Sequence, residues 1–170
     1  MKQRNIKFSE ITLPQLDLVK EIYDFYIINS TATYYINKLS TDELREFILI
    51  GHEKYKSYLI MTGEECCGFC YLSPYKNRQA YNRTAEISLY LKPEFTGQGL
   101  GKIVLEHLEE VAVNKGISVL IGVISGDNEN SIKLFGRCGY DKCAHFKQIG
   151  EKFNMILDVV CYQKLLSHNQ

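Results

Sequence analysis

The sequence of 170 residues lacks tryptophan, and its 20 Lys and Arg residues balance 20 Asp and Glu residues, so it has no net charge. This balance argues against broad electrostatic binding to nucleic acid or to an anionic membrane. No apolar run reaches the roughly 18 residues that span a bilayer. The first residues, MKQRNIKFSE, lack the apolar segment of a secretory signal. We therefore expect a cytoplasmic protein that does not bind membranes.

The sequence also lacks repeats, low-complexity tracts and a polar linker. Its composition, 45% hydrophobic and 24% charged residues, is that of a globular protein. A chain of this length can bury a full hydrophobic core. We therefore predict one domain over residues 1–170, with a flexible tail at 165–170.

Neither the six cysteines nor the four histidines show the spacing of a metal site. Cys67 and Cys70 have C-x-x-C spacing, but a redox pair of this kind begins at a helix N-terminus. Here both residues lie in a predicted strand, where positions three apart point to opposite faces. We expect buried structural thiols and no bound metal.

Hydrophobic periodicity and turn residues predict the element order βααβββαβαββ. Predicted strands cover residues 3–9, 57–62, 66–73, 83–92, 118–124, 140–149 and 155–164. Predicted helices cover residues 14–28, 41–52 and 99–114, and a short fourth helix ends near residue 138. Capping-box spacing marks the first two helices, at Thr12 and Ser40. This order predicts an α/β (mixed α+β) domain in which a central mixed sheet is flanked by about four helices, with one right-handed parallel crossover.

The most informative stretch is AEISLYLKPEFTGQGLGK, residues 85–102. It has the pattern of a strand, a proline stop, a glycine turn and the start of a helix. Period-two alternation places Glu86, Ser88 and Tyr90 on one strand face. Alternating glycines permit positive φ and leave backbone N–H groups open to an anion. Taken alone, the motif fits an anion site and a bare strand-to-helix turn about equally well.

Two common nucleotide motifs do not fit this turn. A Walker turn needs Ser or Thr after Gly-Lys, whereas Ile103 follows Lys102. A dinucleotide turn has the spacing G-x-G-x-x-G and an acidic residue at the end of the next strand. This turn has the spacing G-x-G-x-G, and the next acidic residue after the following strand is Asp127.

The same residues resemble the coenzyme A signature of the GCN5-related N-acetyltransferase (GNAT) superfamily. Leu-Tyr-Leu at 89–91, Pro93 and Thr-Gly-Gln-Gly-Leu-Gly at 96–101 carry this resemblance. Over nearly the whole chain, the sequence is similar to the phosphinothricin and methionine sulfoximine N-acetyltransferase branch. The segments that carry this similarity are STAT at 30–33, AY at 80–81, TAE at 84–86, DN at 127–128, Ser131, GEKF at 150–153 and LDV at 157–159.

The resemblance implies a splayed sheet, acetyl-coenzyme A as co-substrate and a small-molecule amine, an amino acid or analogue, as acceptor. The implied cofactor-binding residues are Leu89, Tyr90, Leu91, Gly97, Gln98, Gly99, Leu100, Gly101, Lys102, Asn128 and Ser131. The implied acceptor-binding residues are Thr33, Tyr34, Gln79, Ala80, Tyr81, Ile87 and Ser88. It also implies a homodimer, since members of the family are often dimeric.

Glu86 is the candidate catalytic base. Deprotonating an alkyl amine with a pKa near 10 at pH 7 costs roughly 4 kcal/mol. A carboxylate on the cleft strand can accept that proton, directly or through a water. A backbone N–H of the same strand can stabilise the oxyanion that forms when the amine attacks the thioester. The alternative role for Glu86 is a structural ion pair on a strand face.

Several positions depart from the family pattern. Thr96 replaces a Gln or Arg of the cofactor motif, and Phe135 replaces a Tyr or His that protonates the thiolate or acts as base. Tyrosines that could substitute are Tyr34, Tyr35, Tyr81 and Tyr90. Tyr75 and Ile156 stand where relatives have acceptor-pocket tryptophans, which indicates a different acceptor. Two other functions stay open, a coenzyme A-binding module with little catalysis and an acyltransferase acting on a protein amine.

Overall fold

Seven strands form one mixed sheet in the order β1-β2-β3-β4-β5-β7-β6. The computed structural model describes residues 5–167. The strands are β1 (Ile6–Glu10), β2 (Ser57–Thr62), β3 (Glu65–Pro74), β4 (Thr84–Leu91), β5 (Val119–Ser125), β6 (Asp141–Lys152) and β7 (Met155–Leu165). Neighbours run antiparallel except β4 and β5, which are parallel. The predicted α/β single domain with a parallel central crossover is confirmed.

Four α-helices flank the sheet, in agreement with the sequence. They are α1 (Leu16–Asn29), α2 (Thr41–Leu44), α3 (Leu100–Asn114) and α4 (Glu129–Arg137). Both predicted capping boxes are present, at Thr12 and at Ser40. Of the first predicted strand, residues 3 and 4 lie outside the described residues, as do residues 168–170 of the predicted tail.

The helices cover the two faces of the sheet with separate hydrophobic clusters. Ala85 and Ile87 of β4 pack in the cluster that contains α3 and α4 residues. The cluster on the other face contains α1 and α2 residues together with Phe69. Because side chains alternate along a strand, Glu86 and Ser88 point to the face that carries α1. The sheet therefore separates the core under α3 from the side where Glu86 lies.

The second helix is much shorter than predicted. It was expected over 41–52, but α2 ends at Leu44 and turns follow. Leu44 and Ile48 are nevertheless both fully buried. The spacing of apolar residues correctly indicated which side chains are buried. Consecutive turns bury them as completely as a continuous helix would.

A β-bulge overturns the expected placement of the two C-x-x-C thiols. Ile60 pairs with Gly68 and Met61 with Cys66, so Cys67 is an extra residue on β3. The bulge places Cys67 on the same side as Cys70, and both lie fully buried in the core under α3. The expectation of opposite faces was wrong because an inserted residue resets the alternation.

No helix within residues 5–167 is long and apolar enough to cross a bilayer. The same residues contain no group of three or more His, Cys, Asp or Glu side chains arranged to hold a metal ion. The cytoplasmic location stays a prediction.

Candidate active site

Strands β4 and β5 separate in the middle of the sheet. Among the described residues they pair only through Thr84, Ala85 and Glu86, and from Ile87 onward β4 has no partner there on this side. The gap opens into a cleft of about 840 Å³. Its walls are β4, β5, residues 30–32, the glycine turn and α4. The splayed sheet that the sequence implied is therefore present.

The open edge of β4 presents backbone groups to this cleft. The Lys92 N–H donates to the Cys67 carbonyl on β3 (2.8 Å), whereas the Arg83 carbonyl accepts from the Val119 N–H of β5 (3.1 Å). Peptide groups of successive strand residues point to alternate edges, so those of Leu89 and Leu91 are directed to the β5 side. The Leu91 carbonyl already accepts from the Tyr26 hydroxyl. Leu89 is thus the best-placed residue for pairing with a bound ligand.

Glycine is required at each of three positions in and after the turn that follows β4, for reasons that differ between them. Gly97 and Gly99 have φ values of 69° and 82°, the left-handed region that disfavours side chains. Gly101 lies in α3 beside α4, where an added Cβ would come within 2.7 Å of a Leu134 methyl. The alternating pattern therefore combines two backbone requirements with one packing requirement.

The N-terminus of α3 is open to an anion. Gly99 is its N-cap and supplies no side-chain acceptor for the first helical N–H groups. Four such groups begin every α-helix, and together with the helix dipole they favour a bound phosphate. The Thr96 hydroxyl donates to the Pro93 carbonyl (2.8 Å) and the Gln98 amide to the Glu94 carbonyl (2.5 Å). Both side chains bond within the turn, and Gly97, Gly99 and Gly101 line the cleft.

The far end of the cleft is formed where β5 leads into α4. Asn128 caps α4, and its Oδ1 accepts from the Ser131 N–H at 3.2 Å. Asp127 accepts from the Ser125 hydroxyl at 2.6 Å and from the Thr31 hydroxyl at 2.8 Å and 2.9 Å through its two oxygens. Asp127 thereby links the end of β5 to the loop that follows α1.

Glu86 lies next to the splay point, on the face of β4 that carries α1. Burial raises the pKa of its carboxyl group, and no charged group opposes that shift. Within residues 5–167 its carboxylate has no ion-pair or hydrogen-bond partner. The alternative role for Glu86, a structural ion pair, therefore has no support. A carboxylate with a raised pKa holds a proton more strongly, which suits a general base.

Three tyrosines lie near enough to Glu86 for its charge to affect their pKa values. Burial raises the pKa of Tyr34 to about 12, although a hydrogen bond to Ser125 opposes the shift. The pKa values of Tyr23 and Tyr71 are raised by burial and, to a smaller degree, by the nearby charge of Glu86. The Tyr23 and Thr33 hydroxyls share a hydrogen bond of 2.6 Å. The candidate acceptor side is therefore rich in hydroxyl groups around one carboxylate.

A family model described as Acetyltransferase (GNAT) family matches residues 20–140 of this sequence. This chain belongs to the GNAT acetyltransferase family. The resemblance found in the sequence is confirmed, and so is the prediction of an acyltransferase.

Relatives of the expected branch match most of this GNAT chain. It is 27% identical over 160 residues to an L-methionine sulfoximine/L-methionine sulfone acetyltransferase of Salmonella typhimurium, covering 89% of each protein. It is 24% identical over 151 residues to phosphinothricin N-acetyltransferase of Streptomyces coelicolor, covering 86% of this chain and 88% of the relative. A phosphinothricin acetyltransferase from Sinorhizobium meliloti, solved in complex with acetyl-coenzyme A, superposes with a TM-score of 0.88 and 29% identity. That superposition covers 95% of this chain and 88% of the other.

Most of the predicted cofactor residues of the GNAT motif line the cleft. Gln98 and Leu100 do not, since the Gln98 side chain is held by Glu94 and Leu100 is buried in the core. Ile87 and Ser88 also line the cleft, but the Ile87 side chain is only 3% exposed and lies in the core under α3. The remaining predicted acceptor residues are outside the cleft lining, namely Thr33, Tyr34, Gln79, Ala80 and Tyr81.

A second surface concavity, of about 710 Å³, lies between α3 and the end of β7. Glu106, Glu109 and Glu110 line it, and none of the predicted site residues is there. Three glutamates against one lysine, Lys164, make this lining unsuited to a diphosphate.

Phe135 fills the cleft floor where many GNAT enzymes have a proton donor. Its ring is 5% exposed and packs on Gly122, where an added Cβ would come within 2.3 Å of the ring. The Tyr140 ring lies at a centroid distance of 4.9 Å from it, edge to face. Phe135 is therefore a packing residue that requires glycine on the neighbouring strand.

Two residues near the site received no role from the sequence. Asp127 links Thr31 to β5, and Lys152, which is only 3% exposed, donates to the carbonyls of Ser30 and Thr33. Both lie in segments that carry the family resemblance. Sequence spacing could not show that Lys152 reaches a loop about 120 positions earlier.

Proposed function

We propose that this GNAT protein transfers the acetyl group of acetyl-coenzyme A to the amine of an amino acid or a close analogue. The supporting observation is one continuous cleft. It joins an open helix N-terminus, suited to a diphosphate, to an unpaired strand edge that begins one residue after Glu86, a half-buried carboxylate outside the cleft lining. The acceptor class comes from relatives whose names specify phosphinothricin and methionine sulfoximine as substrates.

The cleft residues fit the parts of the cofactor in order. Backbone N–H groups from Gly97 to Lys102 hold the diphosphate. On the free edge of β4, the Leu89 carbonyl accepts from an amide N–H of the pantetheine arm, as in an added strand. Asn128 and Ser131 border the end of the arm. Acetyl-coenzyme A supplies an acetyl thioester, which an uncharged amine can attack.

Glu86 prepares the amine for this attack. Its carboxylate accepts the ammonium proton, directly or through one water, and burial makes it a stronger base than an exposed glutamate. The Leu89 N–H, directed into the cleft, donates to the carbonyl oxygen on which negative charge develops. Thr33, Tyr34, Ile87, Ser88 and residues 79–81 border the acceptor.

Replacing Glu86 by Gln tests this assignment. The Glu86→Gln variant keeps the shape of the side chain and loses the base, so we expect kcat to fall about 10²-fold or more. The dissociation constant for acetyl-coenzyme A, measured by calorimetry, should stay within about 2-fold, because Glu86 is outside the cleft lining and the substitution leaves the glycine turn unchanged. Glu65→Gln, an exposed strand glutamate, is the matched control. Full thiol release by Glu86→Gln would remove Glu86 from the mechanism.

Phe135 favours a second candidate, a coenzyme A-binding module with little catalysis, because a phenyl ring cannot exchange protons. Thermal shift with acetyl-coenzyme A, followed by a thiol-release screen across amino acids and other amines, separates the two functions. Stabilisation without thiol release on any amine would support the binding module.

We also propose that the protein is a homodimer formed through the β6–β7 hairpin. Strand β6 is an edge of the sheet. Large apolar side chains on this hairpin are between 45% and 60% exposed, namely Phe146, Ile149, Phe153, Met155 and Ile156. An apolar edge of this kind favours burial against a second copy.

A further inference from the structure

Lys152 occupies an unusual environment for a lysine. It stands at the end of β6 and is 3% exposed. Burial lowers the pKa of its ammonium group. Within residues 5–167 no carboxylate pairs with it. A buried charge is costly unless other groups compensate for lost water, so its partners indicate what the residue does.

Those partners belong to one loop. The Nζ atom donates to the Ser30 carbonyl at 2.7 Å and to the Thr33 carbonyl at 2.8 Å. The Phe153 ring centroid lies 5.0 Å from the same Nζ, which adds a cation–π contact. Charge-assisted hydrogen bonds are stronger than those between neutral groups. Lys152 therefore clamps the backbone of residues 30–33, a segment with no regular secondary structure.

Two further tethers hold the same loop from other elements. The Thr31 hydroxyl donates to both Asp127 oxygens at the end of β5, and Tyr23 of α1 shares a hydrogen bond with the Thr33 hydroxyl. The loop residues 30–32 line the cofactor cleft, and Tyr34 lies near enough to Glu86 for the charge of that carboxylate to contribute to its raised pKa. The loop thus adjoins both the cleft and the base.

We infer that Lys152 is a positioning residue of the acceptor site, acting through the loop at residues 30–34. This inference rests on the proposed function, in which Thr33 and Tyr34 border the acceptor. The clamp fixes the backbone of that segment from its buried side, while Asp127 fixes Thr31 from the cleft side. A displacement of about 1 Å in such a group can cost 10²-fold in rate, which gives a buried clamp a measurable kinetic effect.

The test is a comparison of Lys152→Met with Lys147→Met, an exposed lysine of the same strand. Met keeps most of the apolar stem of the side chain and removes all three donors. We expect Lys152→Met to raise KM for the acceptor about 10-fold or more, with the dissociation constant for acetyl-coenzyme A within 2-fold of wild type. Hydrogen exchange should quicken at residues 30–34. Lys147→Met should behave as wild type.

A second pair of variants covers the case in which Lys152→Met fails to fold. Thr31→Val removes the Asp127 tether without touching the core, and Thr31→Ser retains the hydroxyl. We expect a raised acceptor KM for Thr31→Val, by about 3- to 10-fold for one lost hydrogen bond, and recovery of most of that loss in Thr31→Ser.

Three outcomes would overturn the inference. The first is a folded Lys152→Met with unchanged acceptor KM. The second is an equal loss of affinity for acetyl-coenzyme A, which would indicate a general structural role. The third, if Lys152→Met does not fold, is a Thr31→Val variant with unchanged acceptor KM. Failure of the proposed function looks different, because wild-type protein would then release no thiol with any amine.

Discussion

Two single residues have environments that oppose their ordinary chemistry. Within residues 5–167, the Glu86 carboxylate has no cation beside it and the Lys152 ammonium group has no anion beside it. Both cost stability in a fold that has little to spare. Functional sites commonly keep such groups because their reactivity depends on the unfavourable environment. Predictions at this scale can be tested by substituting a single side chain.

The raised pKa of Glu86 predicts a pH-dependent gain in stability for Glu86→Gln. The folded protein binds the Glu86 proton more tightly than the unfolded chain does. The neutral form therefore stabilises the fold below the ordinary glutamate pKa, and this contribution is lost as pH rises through the higher folded pKa. Glu86→Gln should raise Tm at about pH 7 and leave it unchanged near pH 4. Scanning calorimetry at both values measures this, and equal Tm at pH 7 would contradict the raised pKa.

Tyr34 should bind the acceptor as a hydrogen-bond donor and not as a titrating acid. Its pKa of about 12 keeps the hydroxyl protonated throughout the usable pH range. Tyr34→Phe should raise the acceptor KM about 5- to 10-fold, the effect of one hydrogen bond. The shape of the kcat/KM profile between about pH 6 and pH 10 should stay as in wild type. Loss of the alkaline limb would instead identify Tyr34 as the group that protonates the thiolate.

At the scale of elements, the strand–turn–helix unit of β4 and α3 forms the anion site. Its glycine spacing, its proline stop and the helical stripe of α3 are local features, and the sequence predicted them correctly. The short α2 and the bulge on β3 were missed because periodicity reports burial and not hydrogen bonding. Helix boundaries and single-residue insertions depend on neighbouring strands that the local sequence does not contain.

Alanine substitutions at two left-handed glycines should have the same effect on stability but different effects on cofactor binding. Gly99 and Gly51 both have left-handed φ, 82° and 72°, and an added Cβ would meet nothing within 4 Å at either. Alanine at either position should lower stability by about 1 kcal/mol. Only Gly99→Ala should also weaken acetyl-coenzyme A binding, by about 10-fold, because strain shifts the N–H groups at the start of α3. Calorimetric titration of both variants with acetyl-coenzyme A tests this. Equal affinity of the two variants would show that the turn does not bind the diphosphate.

At the scale of the whole molecule, the β6–β7 hairpin exposes several large apolar side chains, which a second copy of the chain would bury. We expect light scattering after size exclusion to give the mass of a dimer. Ile156→Lys should shift it towards monomer, because a buried unpaired charge is costly. Leu13→Lys, an equally exposed apolar residue before α1, is the control. A wild-type monomer at micromolar concentration would refute the dimer.

The sequence by itself determined the order of elements, the glycine turn and the strand face that carries Glu86. These follow from rules that act within a few residues: alternation, capping and backbone freedom. Only the tertiary structure decided how far β4 and β5 pair, that Cys67 bulges into the core, and that Lys152 clamps residues 30–33. Such contacts join segments about 120 positions apart, and their geometry arises when the whole core packs.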